Sequence, residues 1–563
     1  MAKKDIQHLS MVSADTKVIK AASTMGFATF LSRILGLVRE QVFAVMFGAG
    51  NFMDAFNVAF RIPNLLRDLF AEGAMSASLV PTFIRARTEG GEKRAWRVAG
   101  LVFRVLAVSV SVLTLVGLIF APELVSLYAS AFKSIPGKFE LTVRMTRTMF
   151  PFFPLVALAA AFMGVLNACG IFFMPALSSA LFNITSIIVG VACAVFFSGY
   201  GAKFGLHPIE GMAIGVLTGG LMQAVCQLPS LYKTGYKWVA QSREEYLPWY
   251  KEPYLRQILL LMVPGTIGLA ATQVNILINT ILATSQGTGA VSWLNYAFRL
   301  MQFPIGVFGV SLAIATLPTF SQQLVSRDMQ SASETLSRSL RHVFAINLPA
   351  SAGLAFLGIP IIKVIFQYGR FQVEDTHATA LALTMYAIGL TAYSAVKILV
   401  PACYAFGNTR VPVVSSVLAV LVTICLNLLL IGPFGYWGLA LGTSVAAVVN
   451  AVYLIRAIQL MFGKYDVDFP VMPIIKAFGS HLVIAVLMGA ACLGTNEILE
   501  ILLPDTFLGT WLPFVRAMKM SILLLEGIFI VFILAKMLNL SETSEIFSLF
   551  FEKFKKKLRV KAI

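Results

Sequence analysis

The segment SRILGLVRE, residues 32–40, lies inside an apolar stretch, residues 22–47, that is long enough to cross a membrane as a helix. The segment nevertheless contains two arginines, Arg33 and Arg39. A charge inside a membrane is costly and normally faces a cavity or a partner. Three later arginines also lie inside such stretches, namely Arg61, Arg67 and Arg299. These five cations predict a functional interior that is suited to an anion.

The composition places the whole chain in the class of polytopic membrane proteins. Of its 563 residues, 58% are apolar and only 13% are charged. Apolar runs of about 20 residues follow one another to residue 538, which predicts an all-α protein and not a barrel of short alternating strands. Fourteen transmembrane helices are predicted, at residues 22–47, 54–83, 98–121, 144–168, 175–198, 211–231, 257–284, 291–319, 343–367, 377–405, 413–431, 437–455, 477–495 and 514–538.

Lysines and arginines are distributed unevenly between the two sides of this predicted topology. With the N-terminus inside, the inner segments hold 27 of the 44 basic residues and the outer loops hold four. The positive-inside rule therefore predicts that both termini are cytoplasmic. Basic inner loops facing an anionic leaflet also explain the net charge of +17, so no nucleic-acid partner is expected.

Short sequence anchors recur at a nearly constant offset, which indicates an internal repeat. Residues 59–61 (AFR) reappear at 297–299, and residues 81–83 (PTF) reappear at 318–320. Each copy covers six spans, so two pseudo-symmetric six-helix lobes are expected, with a substrate site between them. The predicted domains are a cytoplasmic N-terminal segment (1–21), an N-lobe (22–235), a cytoplasmic linker (236–256), a C-lobe (257–460), two C-terminal helices (461–538) and a basic cytoplasmic tail (539–563).

Acidic residues accompany the arginines, and two roles for them are open. Asp54 could pair with Arg33, and Glu72 with Arg39, simply to hold a lobe together. The basic residues within the spans outnumber the acidic ones, however, so a net cationic cavity is expected. Guanidinium groups match phosphate oxygens bidentately and stay charged in a low dielectric, which favours a phosphate or pyrophosphate ligand. An exporter of cationic drugs would need the opposite sign.

The chain carries no signature of an enzyme or a metal site. The six cysteines lie in or beside apolar spans without metal-ligand spacing, and the five histidines do not cluster with them. No phosphate-binding glycine loop and no nucleophile with a histidine base is found. We therefore expect no catalytic residue, no metal ligand and no cofactor.

Several motifs resemble those of the MurJ/MviN family of bacterial lipid II flippases. The first block comprises SRILGLVRE (32–40), FGAG (47–50), DAF (54–56), AFRIPNLLR (59–67) and FAEGA (70–74). A second block, residues 291–304, and the segment FQYGRF, residues 366–371, resemble later parts of the same family. The likeness covers nearly the whole chain, including the count of fourteen spans.

The resemblance implies a member of the multidrug/oligosaccharidyl-lipid/polysaccharide exporter superfamily in the bacterial cytoplasmic membrane. Such a protein carries the undecaprenyl-pyrophosphate-linked peptidoglycan precursor, lipid II, to the outer leaflet and can work beside the cell-wall synthesis machinery. It implies pyrophosphate binding for Arg33, Arg39, Arg67 and Arg299, with a basic position at Arg61. It implies gating ion pairs for Glu40, Asp54 and Glu72. The two C-terminal helices are then expected to form a groove for the lipid tail.

Some positions depart from the family pattern. Phe298 and Gln302 stand where family members often carry acids beside the arginine of the eighth span. Residues 274–280 contain no acid of the kind that helps some members bind sodium, so sodium coupling is in doubt and the membrane potential is an alternative driving force. Gly73, directly after Glu72, is the expected hinge, because small residues often absorb the change at closure.

Other functions remain open at this stage. A related exporter of another polyprenyl-linked glycan would carry the same cations. A multidrug antiporter of the same superfamily predicts an acidic cavity instead. A membrane scaffold that does not transport predicts arginines that are fully paired.

Overall fold

Helices make up almost all of the computed structural model, which describes residues 26, 28–70, 74–236, 252–505 and 511–548. Within those ranges no strand is present. The predicted segment 1–21, most of the linker, Glu72, Gly73 and the tail beyond residue 548 lie outside the described residues. The all-α fold class expected from the sequence is confirmed.

The helices fall into two compact units. The first unit comprises residues up to Phe43 together with Gly50–Thr288, and the second comprises Ala44–Ala49 together with the chain from Gly289 onwards. The first unit contains α1 (28–47, up to residue 43), α2 (Asn51–Phe70), α3 (Ala74–Ile119), α4 (Ala121–Tyr128), α5 (Lys138–Met149), α6 (Phe152–Ala168), α7 (Phe173–Gly199), α8 (Pro208–Val225), α9 (Leu228–Lys233) and α10 (Pro253–Thr284).

The second unit continues the same all-helical construction. It contains α11 (Ala290–Pro304), a π-helical turn (Ile305–Gly309), α12 (Val310–Val325), α13 (Met329–Phe356), α14 (Gly358–Ile365), α15 (Val373–Ala405), α16 (Arg410–Gly463), α17 (Val471–Leu502), α18 (Leu512–Met537) and α19 (541–548). Its core is built mainly from α13, α15, α16 and α17.

Fewer helices qualify as membrane spans than the sequence predicts. Among the described residues, nine are long and apolar enough, or ten if α13 and α14, bent by 78°, form one span. One reason is that α16 contains two predicted spans, 413–431 and 437–455, which meet at Gly435 with a φ of 58°. The count of fourteen therefore stays a prediction, whereas the polytopic helical architecture is established.

Helix α10 belongs to the first compact unit, whereas the sequence repeat assigns it to the C-lobe. The repeat assigns residues 257–284 to the C-lobe, but α10 packs against α2 and α3 within the first compact unit. The units follow contacts and the predicted lobes follow the repeat, so the predicted lobe limits remain a prediction.

Glycines allow the closest helix packing in the first unit, between α7 and α8. A Cβ atom on Gly215 would lie 2.5 Å from the carbonyl oxygen of Ser186 and 2.7 Å from the Cα of Gly190. On Gly211 it would lie 2.4 Å from the backbone nitrogen of Ala194. Small residues let helix backbones approach in this way, and the gain is van der Waals packing where the surrounding lipid offers no hydrophobic drive. The pair is therefore held together backbone to backbone.

An ion pair with a buried arginine attaches the start of α18 to the rest of the second unit. Arg516 is 7% exposed and donates to Asp505 at 2.7 Å and 2.9 Å and to the backbone oxygens of Lys363 and Gln367. Burial acts to raise the pKa of Asp505, but the hydrogen bonds and charge of Arg516, with the charges of Lys519 and Lys363, hold that pKa below its usual range. The two C-terminal helices are thereby tied to α14 and to the segment directly after it.

The last described helix, α19, docks through polar contacts. Glu542 is buried and forms an ion pair with Arg341 of α13, while Thr543 lies 3.0 Å from the Nε2 atom of His481 in α17. Burial acts to raise the pKa of Glu542, but its backbone hydrogen bond and the charges of Arg341 and His481 hold it below the usual value. The chain just beyond the last membrane helix is therefore ordered on the second unit.

We predict that Gly215→Ala destabilises the first unit, because the added methyl group must push α7 and α8 apart. Overpacking of this kind costs about 1–3 kcal/mol. The measurement is the thermal unfolding midpoint of the purified protein in detergent. Gly199→Ala is the matched control, because a Cβ at the end of α7 meets nothing within 4 Å. Equal midpoints for the two variants would show that the α7–α8 contact is loose.

Candidate cationic site

Arg39 is buried in α1 among aromatic rings. It is 6% exposed, and its guanidinium carbon lies 5.4 Å from the ring centre of Phe182, 5.8 Å from that of Phe43 and 6.0 Å from that of Phe60. Its Nη2 atom donates to Glu40 at 3.0 Å. Aromatic faces attract a desolvated cation. The rings and the adjacent carboxylate therefore stabilise a positive charge far from water.

Arg67 forms the second charge cluster, near the end of α2. Its Nε and Nη2 atoms donate to Asp68 Oδ1 at 3.1 Å and 2.7 Å. The other oxygen of Asp68 accepts from the Asn64 side chain and from Gln273 of α10, each at 3.3 Å. Arg67 and Asp68 retain 24% and 15% of their side-chain exposure, so this pair is more accessible than Arg39 and Glu40. Asp68 is thus a member of the site that was not among the predicted site residues.

Asp54 at the start of α2 has a different partner from the one suggested by the sequence. Its carboxylate accepts from Lys138 Nζ at 3.1 Å, and the side chains are 0% and 2% exposed. Lys138 also donates to Asn51 at 3.0 Å and lies over the ring of Phe132 at 4.0 Å. The suggested pairing of Asp54 with Arg33 is therefore replaced by a link between α2 and α5. Glu72, the suggested partner of Arg39, lies outside the described residues.

The named charges of the first unit do not balance. Five described cations stand against three described carboxylates, a surplus of two: Arg33, Arg39, Arg61, Arg67 and Lys138 against Glu40, Asp54 and Asp68. Arg33 and Arg61 are both half-buried, and within the described part of the chain Arg33 forms no ion pair. A surplus of positive charge on apolar helices can be compensated by an anion. The net positive sign of the site stays a prediction, because Glu72 lies outside the described residues.

Arg299 lies in the second unit and is exposed at the end of α11. Five residues later Pro304 closes this helix, and a π-helical turn over Ile305–Gly309 joins it to α12. Proline removes a backbone donor, and π turns occur often at functional sites. Phe298, which stands where family members often carry an acid, packs edge-on against Tyr386. Arg299 thus remains exposed, whereas the neighbouring Phe298 packs against another aromatic ring.

Three of the motifs noted in the sequence meet within the second unit, namely FGAG (47–50), the block at residues 291–304 and FQYGRF (366–371). The backbone nitrogen of Arg370 donates to the carbonyl oxygen of Val45 at 2.9 Å, and Tyr296 donates to that of Gly48 at 3.2 Å. Gly48 has a φ of 67°, and a Cβ there would lie 2.5 Å from the carbonyl oxygen of Arg370. Only glycine fits such a close approach in this conformation. These motifs therefore have a packing role beside the arginines.

Sequence reasoning missed two members of the site. Lys138 is one of the four basic residues that the predicted topology assigns to the outer loops, but it begins α5 and is buried against Asp54. Asp68 shares a helical stripe with Asp54 and Arg61, and that spacing was the available signal. The hinge proposed at Gly73 falls on a residue outside the described ranges. No cluster of three metal-binding side chains occurs among the residues described.

Long apolar helices define a polytopic membrane protein, and comparison with known proteins narrows this class. The family model described as lipid II flippase MurJ matches residues 43–508. A lipid II flippase MurJ of Burkholderia cenocepacia is 36% identical over 442 residues, which cover 78% of this chain and 84% of that relative. The chain belongs to the MurJ family.

Solved structures agree with this assignment. A structure of lipid II flippase MurJ in an inward closed conformation matches with a TM-score of 0.72 at 25% identity and covers 91% of this chain and 98% of that chain. An inward-facing multidrug resistance MATE family transporter matches with a TM-score of 0.66 at 15% identity, covering 77% of this chain and 95% of its own. The second likeness shows a shared fold alone.

We predict that Lys138→Met destabilises the protein by about 3–5 kcal/mol, because it leaves the Asp54 carboxylate buried without its counter-ion. The measurement is the free energy of unfolding from a denaturant titration in detergent. The double variant Asp54→Asn/Lys138→Met should recover most of the loss, since it removes both charges together.

The control for this prediction is Arg87→Met, which removes one partner of the exposed Arg87–Glu92 pair and should leave the unfolding midpoint unchanged. If Lys138→Met behaved like this control, the Asp54–Lys138 pair would not hold α2 to α5.

Proposed function

We infer that this protein is a flippase that moves lipid II, the undecaprenyl-pyrophosphate-linked peptidoglycan precursor, from the inner to the outer leaflet by alternating access. The family assignment supports the class of protein, and the lipid II flippase named among its relatives supports the substrate. Cell-wall synthesis consumes that substrate on the outer side. We propose that the protein lies in the bacterial cytoplasmic membrane with both termini in the cytoplasm, and that the cell-wall synthesis machinery is a further partner.

One observation carries the proposal: the described helices of the first unit hold more cations than carboxylates. A diphosphate carries several negative charges and accepts bidentate hydrogen bonds from guanidinium groups. A cationic drug would meet repulsion at the same surface. The likeness to a multidrug transporter therefore reflects the fold, and the sign of the site favours an anionic lipid-linked substrate. A related glycan on the same lipid carrier would share this recognition.

The residues divide into three roles in this mechanism. The arginines Arg33, Arg39, Arg61, Arg67 and Arg299 bind the diphosphate. Two acids, Glu40 and Glu72, form ion pairs that break and re-form as access alternates, and Gly73 provides the hinge. Asp54, expected among these acids from the sequence, keeps its buried pair with Lys138 throughout. Helices α17 and α18 pack around Gly527 and expose many apolar side chains, which suits a groove for the lipid tail.

No bond is made or broken in the substrate, so the cycle needs a driving force rather than a catalyst. A charge that crosses the full membrane potential changes its free energy by about 2.3 kcal/mol per 100 mV. We propose that this potential, acting on the bound diphosphate or on the arginines, drives the cycle without sodium. Helix α10 offers neutral side chains over residues 274–280 where a sodium site of the family would need an acid.

The test is rescue of a bacterium depleted of its own lipid II flippase. The unaltered chain should restore growth, and Arg67→Gln or Arg299→Gln should abolish rescue, because glutamine keeps hydrogen bonding but loses the charge. A charged hydrogen bond contributes about 1.5–3 kcal/mol, which corresponds to roughly a ten- to hundred-fold loss of affinity. Labelling of lipid II at the outer surface measures transport directly.

Arg87→Gln is the matched control, because Arg87 is an exposed arginine outside the site. It should rescue as well as the unaltered chain at equal membrane abundance. Rescue by both site variants at equal abundance would contradict the proposal. Dye efflux that is insensitive to Arg67 and Arg299, without rescue, would favour a drug antiporter instead.

A further inference from the structure

The strongest unexplained feature is the set of hydrogen bonds around Asp68. One carboxylate oxygen accepts two bonds from Arg67, at 2.7 Å and 3.1 Å, and the other accepts one amide from Asn64 and one from Gln273, each at 3.3 Å. Four donors therefore converge on one partly buried carboxylate. The two oxygens therefore differ in their partners: Oδ1 accepts hydrogen bonds from a cation, and Oδ2 accepts them from neutral amides.

The Arg67–Asp68 pair does not hold helices together. Its members are adjacent on α2, and neighbouring residues of a helix do not normally face each other. The Asp54–Lys138 pair, by contrast, joins α2 to α5. Among the described residues, the weaker bond from Gln273 alone links Asp68 to another helix, α10. Neutralising the charge of Arg67 is therefore a better account of this pair than cross-linking.

We propose that Asp68 is an internal counter-ion that competes with the substrate diphosphate for Arg67. Without substrate the carboxylate occupies the guanidinium fork. When a diphosphate binds, Arg67 turns to it and releases Asp68, whose other oxygen stays hydrogen-bonded to Asn64 and Gln273. This inference rests on the proposed function and adds an affinity-setting residue to it.

The two amides are what make such an exchange feasible. A carboxylate that loses its ion-pair partner in a low-dielectric site is strongly destabilised unless other donors remain. Asn64 and Gln273 are both buried, and each keeps its amide group directed at Asp68. These two hydrogen bonds stabilise the Asp68 carboxylate until Arg67 pairs with it again. A carrier gains from this arrangement, because a substrate held too tightly could not leave on the far side.

The experiment measures binding of inorganic pyrophosphate to the full-length protein in detergent by titration calorimetry. Asp68→Asn should bind about ten-fold more tightly than the unaltered protein, since the competitor for Arg67 loses its charge but keeps its shape. The gain should vanish in the double variant Arg67→Gln/Asp68→Asn. Gln273→Met should weaken binding several-fold, because the carboxylate then depends more on Arg67.

Glu92→Gln is the matched control, since it removes the same charge from an exposed pair and should change affinity less than two-fold. Equal or weaker binding by Asp68→Asn, with Arg67→Gln still weakening it, would overturn the counter-ion role and leave the proposed function standing. If Arg67→Gln also had no effect, the binding site itself would be wrong. Should Asp68→Asn fold poorly, the outcome with Gln273→Met decides alone, and unchanged binding overturns the proposal.

Discussion

The cost of keeping charge among apolar helices is the constraint on which the first unit depends. Three carboxylates of α1 and α2 are each matched to a cation at close range: Glu40 to Arg39, Asp54 to Lys138 and Asp68 to Arg67. The three pairs differ in what surrounds them. One lies among aromatic rings, one is sealed between two helices, and one keeps access to solvent. The same electrostatic requirement thus gives three different results. Arg39 is a cation shielded by rings, the Asp54–Lys138 pair is a fixed link between helices, and the Arg67–Asp68 pair can exchange partners.

These differences follow from burial more than from residue type. The Asp54–Lys138 pair has almost no exposed surface, so separating it would leave two desolvated charges. The Arg67–Asp68 pair is partly exposed and has amide donors in reserve. Breaking it costs less, which suits a step that is repeated in every transport cycle. Arg33 and Arg61, both half-buried, add further positive charge to the same helices.

Much of this could be predicted from the sequence, because apolar runs and misplaced charges are local signals. The helical class, the set of arginines and the family resemblance were all available from the residues. The partner of Asp54 was not, since Lys138 is 84 positions away and no periodicity connects a residue of α2 with the first residue of α5. Helix limits were also uncertain, because α16 runs through two predicted spans with a single glycine at the break. Tertiary packing decides such features.

The backbone contact between α7 and α8 has a mechanical consequence. At Gly211 and Gly215 the two backbones meet directly, so no side chain lies between them there to change rotamer. Helices α7 and α8 are therefore expected to move together as a rigid pair. Compliance has to come from elsewhere, and the π-helical turn after Pro304 in the second unit is the kind of backbone irregularity that can bend.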